Sequence, residues 1–345
     1  MSGQRLVSAI VPCRNELAHV ARFAASALAE QLQAGWQLEV IVADGDSDDG
    51  TREVLARVAA SDARLRIVAN PARIVSTGLN RALAEARGEV IVRMDVHTTY
   101  APDYVAECIA ALARTGADNV GGPWRAEADS GGAAMQEAIV AAFQSPLVAG
   151  GALSRRLDHE GPVDTVYLGA WPRATFERFG EFDETLVRNQ DDEHNLRIVA
   201  GGGRVWQSAR IVSTYRPRAR LGGVFRQYLQ YGYWKPFVMK KHGQAAALRQ
   251  VVPALFVTAL AVSAGLAASR LTAWPIALLC AVYALMIVAM TAAIARSSRP
   301  RLAALWRVPW VIVASHVAYG LGSIAGWIDV ARGARGRAHF STLTR

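Results

Sequence analysis

Apolar positions follow two different patterns along the 345 residues of this chain. Up to about residue 250 they come in short β-rich runs that alternate with amphipathic stretches, and beyond it they fuse into long blocks. Leu6–Val11 predicts a strand, Leu17–Leu32 a helix, Leu38–Ala43 a strand, Thr51–Ala60 a helix and Leu65–Val68 a strand. Ser76–Arg87 predicts a helix closed by Gly88 as its C-terminal cap, and Val90–Met94 the next strand. Strands and helices alternating in this way predict an α/β fold with a parallel, doubly wound sheet. Ligands bind such sheets beyond the carboxyl ends of the strands, where the polar loops starting at Pro12, Asp44 and Asp95 fall.

After Gly121 the alternation is less regular. A helix is expected near Ala133–Phe143, then a Gly-rich stretch at Gly150–Gly151, then Val163–Trp171 and a short helix over Arg173–Phe179, and loops facing a second substrate are expected in this region as a whole. Asp191–Ala200 predicts a helix ended by Gly201–Gly203, Arg204–Gln207 a strand, and Gly222–His242 an amphipathic helix rich in aromatics. No internal repeat is present.

Three apolar segments follow, Val251–Ser269, Ala273–Ala295 and about Val308–Ile328. The first two meet the roughly 20 residues needed to cross a hydrocarbon core. The third is interrupted by His316, Gly320, Gly322 and Gly326. Arg270 alone marks one loop and Arg296, Arg299, Arg301 and Arg307 mark the next, which the positive-inside rule places outside and inside respectively. Arg332, Arg335 and Arg337 would then lie outside if the third segment spans, so two to three transmembrane helices are expected, the third spanning or re-entrant. The organisation is a catalytic domain over 1–220, an interfacial amphipathic region over 221–250 and a membrane region over 251–345, and a chain cut after His242 is expected to keep a folded first domain.

The net charge of +9 is carried mostly by arginine, with lysine only at 235, 240 and 241, just before the first long apolar run. That placement points to anionic membrane lipids as a partner, and the absence of zinc-finger spacing or an RNA-binding signature argues against nucleic acid. Cys13, Cys108 and Cys280 have no metal or disulfide spacing and read as reduced packing residues. Leu6–Pro12 is too short for a signal region, so the first domain is expected to stay on the cytoplasmic side of the inner membrane.

Three stretches carry chemistry. Asp44-Gly45-Asp46-Ser47-Asp48-Asp49-Gly50-Thr51 leaves a strand and opens a helix. A carboxylate at Asp44 can accept from the N3–H of uracil, whereas Asp48 and Asp49 read as helix caps. In Arg93-Met94-Asp95-Val96-His97, alternate residues of an extended segment point the same way, so Asp95 and His97 could share a divalent cation that neutralises a diphosphate leaving group. A purely structural histidine is the alternative. In Asn189-Gln190-Asp191-Asp192-Glu193-His194-Asn195-Leu196-Arg197, Asp191 is the candidate general base, while Asp192 and Glu193 suit the dipole of a first helical turn.

These three stretches, in this order, resemble family 2 glycosyltransferases of the GT-A fold over about Leu6 to His242. Val7-Ser8-Ala9-Ile10-Val11-Pro12-Cys13-Arg14-Asn15-Glu16 looks like the family's opening strand and nucleotide loop, and the Asp44–Thr51 stretch like its DGGSTDGT element. Asp95-Val96-His97 occupies the place of the DxD metal motif, Gln190-Asp191 that of the Glu-Asp pair whose Asp is the base, and Leu196-Arg197 completes that motif. The resemblance implies an inverting transferase in which Pro12, Arg14, Asn15, Glu16, Asp44 and Asp95 bind a UDP-sugar, Asp95 and His97 hold Mn²⁺ or Mg²⁺, and Asp191 is the base. The runs Arg93–Tyr100 and Asn189–Arg197, with the C-terminal apolar segments, are similar to the succinoglycan-biosynthesis β-glucosyltransferase group. That similarity implies a polyprenyl-diphosphate-linked glycan as acceptor and glucose as the sugar.

Two departures stand out. His97 replaces the second Asp of the metal motif, and Gln190 replaces the Glu before the base, which removes a charge that would raise the base's pKa. Downstream, Arg226-Gln227-Tyr228-Leu229-Gln230-Tyr231-Gly232-Tyr233-Trp234-Lys235 only loosely resembles the QxxRW element of processive members. Arg226 and Gln227 are candidates for acceptor or diphosphate contact, or else belong to an interfacial helix. Trp124 and Trp171 fit either the acceptor groove or the core. A processive polysaccharide synthase and a catalytically silent nucleotide-sugar-binding scaffold are the alternatives.

Overall fold

The computed structural model describes residues 4–129, 131–243, 247–334, 336 and 340, so that the tail arginines Arg335 and Arg337 lie outside the described residues. The chain opens β1 (Arg5–Cys13), α1 (Leu17–Leu28), β2 (Trp36–Asp44), α2 (Thr51–Ser61), β3 (Leu65–Ala69), α3 (Val75–Glu85) and β4 (Val90–Arg93). It continues through β5 (Thr99–Tyr100), α4 (Tyr104–Thr115), β6 (Asn119–Gly122), β7 (Arg125–Ala126), α5 (Ala134–Gln144), β8 (Gly161–Pro162), β9 (Tyr167–Pro172), α6 (Arg173–Phe179), α7 (Gln190–Ala200), β10 (Val205–Gln207) and β11 (Ser213–Tyr215). The last elements are α8 (Leu221–His242), α9 (Val252–Ala268), α10 (Trp274–Ser297), α11 (Leu302–Leu305) and α12 (Val308–Ala331).

Two compact units divide the chain: residues 1–125 with 156–216, and residues 126–155 with 217–345. The first is organised by an eight-stranded sheet in the order β3-β2-β1-β4-β9-β6-β10-β8. Its strands are apolar on both faces because both are covered. Val7, Ala9 and Val11 of β1 enter one core with Phe23 of α1 and Val105 of α4, while Ile10 enters the other with Leu79 of α3. β2, β1 and β4 run parallel, and the strand order reverses between β1 and β4, which opens a crevice at their carboxyl ends.

Three local expectations are corrected. Within the region expected to be rich in loops, β9 belongs to the middle of the sheet, antiparallel to both β4 and β6, so Tyr167–Pro172 is a central strand. Leu168 (φ 63°) and Gly169 (φ 117°) break its extended geometry, and the register slips between Val120 and Gly122, which explains why no clean period-two pattern marks it. Gly88 does not cap α3, a position taken by Ala86. A Cβ at Gly88 would stand 2.6 Å from the Ser8 backbone nitrogen, so glycine is there for close strand approach. Finally, α4 is a helix that the alternation did not bring out, although Val105, Cys108, Ile109 and Leu112 line its buried face.

In the second unit α5 packs Ala138, Ile139, Ala142 and Phe143 against Val308, Val311 and Ile312 of α12, and Glu137 accepts from the Arg301 backbone and guanidinium at 2.7 and 2.5 Å. A chain cut after His242 would therefore strip α5 of its apolar cover. Among the described residues, two helices are long and apolar enough to cross a membrane, Trp274–Ser297 and Leu302–Ala331. The first of the three apolar segments forms the 17-residue α9, at the lower limit of a span, whereas the glycine-interrupted third segment belongs to one of the two longer helices.

The glycines that interrupt the third segment serve helix packing. A Cβ on Gly322 would collide with the Leu229 carbonyl oxygen of α8, one on Gly326 with that of Tyr233, and one on Gly232 of α8 with that of Tyr319 of α12. Backbones this close make the α8–α12 seam, and Ser323 Oγ donates to the Gly232 carbonyl across it at 3.3 Å. Gly322→Ala should lower stability by about 1–3 kcal/mol through overpacking, while Gly265→Ala on α9, where the added methyl meets nothing within 4 Å, should not. Thermal unfolding of both variants in detergent checks this, and equal melting temperatures would refute the packing role.

Candidate functional site

The loops after β1 and β2 are tied together before any ligand is considered. Cys13 stands opposite Asp44 in the register, and the Gly45 N–H donates to the Cys13 carbonyl at 2.7 Å. Asn15, in the left-handed region at φ 53°, receives its place from three bonds: its N–H to Ser47 Oγ at 2.9 Å, its Nδ2 to Asp48 at 2.9 Å, and the Asp48 N–H to its Oδ1 at 3.0 Å. The Glu16 and Leu17 N–H groups then donate to Thr51 Oγ1 and Asp49. Asp48 and Asp49 are thus loop staples, and the cap position of α2 is Gly50, at φ 96°. Half-buried Pro12 points along the same side as Ile10, whose carbonyl bonds Met94. β4 pairs only to Ile10, so the missing N–H of Pro12 breaks no ladder bond. Arg14 packs its Cβ where a side chain on Gly45 would be, 3.1 Å away.

Asp44 is buried at the end of β2, and its carboxylate accepts Arg52 Nε and Nη2 at 3.0 and 2.8 Å. Arg52 also reaches Asp46, which is paired with Arg73 from the loop after β3. The Arg73 and Arg52 guanidiniums hold the Asp46 carboxyl below its ordinary range. The Asp44 carboxylate therefore stands within an arginine–aspartate network rather than alone.

Arg93 ends β4 with its side chain only 8 % exposed. Its Nε and Nη2 donate to the two oxygens of Asp95 at 3.1 and 3.2 Å, and its Nη1 lies 3.6 Å from Asp191 Oδ2. Burial alone favours the neutral guanidine, but the Asp95 and Asp191 carboxylates outweigh it and keep Arg93 charged. Asp95 and Asp191, 96 positions apart in the chain, are in this way joined through one cation. His97 Nδ1 is 3.1 Å from Glu16 Oε1, with Glu16 itself buried, so the imidazole is anchored by the loop after β1 and its Nε2 is the nitrogen left for a ligand. Beside it stand Tyr215, 6.3 Å from the His97 ring, and Trp124, stacked on Tyr167 at 5.8 Å. Burial, then the nearby Asp95, pushes the Tyr167 phenol well above its usual pKa, so it remains neutral.

On α7 the three acids have different surroundings. Asp191 is about one third exposed and its Oδ1 accepts the Asp192 N–H at 2.9 Å. Asp192 accepts from Thr165 Oγ1 at 2.9 Å. Glu193 is fully buried and paired with Arg197 at 2.7 Å, so its role is a buried ion pair and not a solvated complement to the helix dipole. Trp171 is 1 % exposed and packs among Phe176, Phe182 and His194, which assigns it to the core and away from any acceptor groove. Arg226 and Gln227 lie on α8 in the second unit, the former exposed and the latter buried with its amide bonded to Tyr231 and Arg218.

Residues 8–164 match the sequence profile described as "Glycosyl transferase family 2". The succinoglycan biosynthesis protein ExoA of Rhizobium meliloti (strain 1021) is 33 % identical over 271 residues, covering 73 % of this chain and 77 % of that protein. The chain belongs to glycosyl transferase family 2. A Methanococcus voltae enzyme named dolichyl N-acetyl-α-D-glucosaminyl phosphate 3-β-D-2,3-diacetamido-2,3-dideoxy-β-D-glucuronosyltransferase is 22 % identical over 210 residues, 59 % of this chain and 64 % of that protein. Among solved structures, the mannosyltransferase PcManGT from Pyrobaculum calidifontis, in complex with GDP-Man and Mn²⁺, superposes with a TM-score of 0.60 at 21 % identity, covering 91 % of this chain and 86 % of that one. The fold of this glycosyltransferase is GT-A.

Sequence reasoning about the transferase passed over Arg93, Tyr167 and Tyr215. Arg93 had a signal: a charge at the end of a strand buried on both faces has to be paired, and the nearest acid in the sequence is Asp95. Tyr167 and Tyr215 had none, because each reaches the crevice from a strand whose position depends on distant pairing. Among the described residues no three His, Cys, Asp or Glu side chains gather into a self-contained metal cage. Asp95 and His97 are one carboxylate and one imidazole, a mixed donor set whose carboxylate suits Mn²⁺ or Mg²⁺ and whose imidazole suits softer first-row ions; both Asp95 oxygens here accept from Arg93, and Val96–His97 form a turn instead of the extended segment expected from the sequence.

Proposed function

We propose that this enzyme is an inverting glycosyltransferase that moves a sugar, glucose by resemblance, from a UDP-sugar to a polyprenyl-diphosphate-linked glycan in polysaccharide biosynthesis. The observation that carries the reading is the Asp95–Arg93–Asp191 link, which joins a donor-side acid at the end of β4 to an acid at the start of α7. ExoA's naming in succinoglycan biosynthesis supports a polysaccharide product, and the dolichyl-phosphate relative supports a lipid-linked acceptor. PcManGT's complex with GDP-Man and Mn²⁺ supports a nucleotide-sugar donor and a divalent cation. The long apolar helices Trp274–Ser297 and Leu302–Ala331 support attachment to a membrane, and the arginines at 296, 299, 301 and 307 between them are the ground, by the positive-inside rule, for reading the catalytic unit as facing the cytoplasm across the inner membrane.

In this reading Asp191 removes the proton from the acceptor hydroxyl as that oxygen bonds to the anomeric carbon, while the bond from that carbon to the UDP oxygen breaks with inversion. Pro12, Arg14, Asn15 and Glu16 shape the nucleotide loop, with Asp44 and the Arg52 beside it facing the base. Asp95 and His97 would hold Mn²⁺ or Mg²⁺, which neutralises charge on the departing diphosphate when bound. Glu16 orients His97 for that purpose through Nδ1.

Membranes carrying the enzyme, incubated with a panel of radiolabelled UDP-sugars and lipid extracts, should move one label into the lipid phase. Treatment with EDTA should abolish that transfer, and Mn²⁺ or Mg²⁺ should restore it. Transfer from no UDP-sugar would refute the donor class, and full transfer in EDTA would refute the cation.

A further inference from the structure

A buried guanidinium with one donor left over is an unusual thing for a central strand to carry. Arg93 is 6 % exposed as a whole residue, yet its Nη1 makes no hydrogen bond in the structure. The 3.6 Å to Asp191 Oδ2 is an ion-pair distance, beyond hydrogen-bond reach. Every other part of the group is engaged, with Nε and Nη2 forked onto the two Asp95 oxygens. A buried donor without a partner is destabilising, and such a group in a native structure calls for an explanation, a catalytic role among them.

We propose that Arg93 is a positioning residue that couples the donor-side acid to the base: gripping Asp95 with one edge, it aims Nη1 at Asp191 and fixes the rotamer from which the base meets the acceptor hydroxyl. The planar fork is what permits this. Arginine presents one edge to a carboxylate while a third nitrogen points elsewhere, whereas a lysine ammonium is a single point charge on a flexible stem. β4 supplies rigidity, since it is paired with β1 on one side and β9 on the other, and Asp191 is held from behind by the Asp192 N–H on Oδ1. Asp191 thus meets both the last residue of a central strand and the first turn of its own helix. This rests on the reading of Asp191 as the base.

Arg93→Lys keeps the charge and loses the fork. Because displacement of a catalytic group by about 1 Å can cost about 10²-fold, kcat for transfer should fall by about that factor with donor KM little changed. The decisive comparison repeats the substitution in the Asp191→Asn background. If Arg93 acts through Asp191, Arg93→Lys should change the residual rate by less than about 3-fold there, because coupled sites are not additive. The same large factor in both backgrounds would overturn the proposal and leave Arg93 a structural residue. If Asp191→Asn by itself retains transfer, the assignment of the base fails first, and the proposal falls with it for that separate reason. Should Arg93→Lys show no cooperative thermal unfolding, Arg93→Gln is put through the same two backgrounds, and failure of both to fold would assign Arg93 to the stability of the sheet instead.

Discussion

Asp191→Asn should lower transfer by about 10²–10⁴-fold, the usual contribution of a general base, equivalent to roughly 3–5 kcal/mol of barrier. The substitution keeps the size of the side chain and its acceptance of the Asp192 N–H through Oδ1, while it abolishes basicity. Donor affinity should stay near that of the unaltered enzyme, since the proposed role of Asp191 is toward the acceptor hydroxyl and not the nucleotide. Asp95→Asn should behave differently, weakening cation-dependent UDP binding together with turnover, because it removes the carboxylate that would hold the cation in the proposed reading. Asp192→Asn is the register control. It weakens the bond from Thr165 Oγ1, worth about 1 kcal/mol, and should leave the rate nearly intact. Initial rates and UDP affinities for the three variants separate these roles, and loss of transfer in Asp192→Asn with retention in Asp191→Asn would move the base by one position.

Glu193→Gln should destabilise the protein by about 3 kcal/mol, several times the 0.3–1 kcal/mol expected for a solvated acid in a first helical turn. Glu193 is fully buried and meets Arg197 one turn along the helix, so neutralising it strands a guanidinium that is itself only 23 % exposed. The low end of the range for a broken buried pair applies, because Arg197 keeps the Phe179 and Glu181 carbonyls as acceptors at 2.6 and 2.8 Å. Donor affinity of the remaining folded enzyme should be unaltered. Denaturant unfolding followed by a probe in the first unit measures the difference, and a change below about 1 kcal/mol would restore the simpler dipole role.

Much of the GT-A unit was legible from local pattern. Arg173–Phe179 is a helix with the bounds its sequence suggests, and the strands at β1, β2, β3 and β4 agree to within two residues at each end. Each of these elements buries a face through its own repeat of apolar positions, a property of neighbouring residues alone. The strand-end loops at Pro12, Asp44 and Asp95 follow from the same local signal, since a polar break after a buried strand has to leave the sheet. The apolar blocks after residue 250 were equally plain, being a matter of composition.

Tertiary structure alone decided which surfaces cover one another. The repeat that makes α5 amphipathic does not name its partner, which is α12, and the glycines that seemed to weaken the third apolar segment are there because α8 runs against it without room for a Cβ. Likewise nothing near Tyr167 announces that its strand inserts antiparallel between β4 and β6, because pairing direction depends on residues 45 to 82 positions away in the chain. The site shows the same division. Asp95 and Asp191 are each visible as acids at element ends, but the guanidinium between them became significant only when folding withdrew it from water and left the two carboxylates to balance its charge.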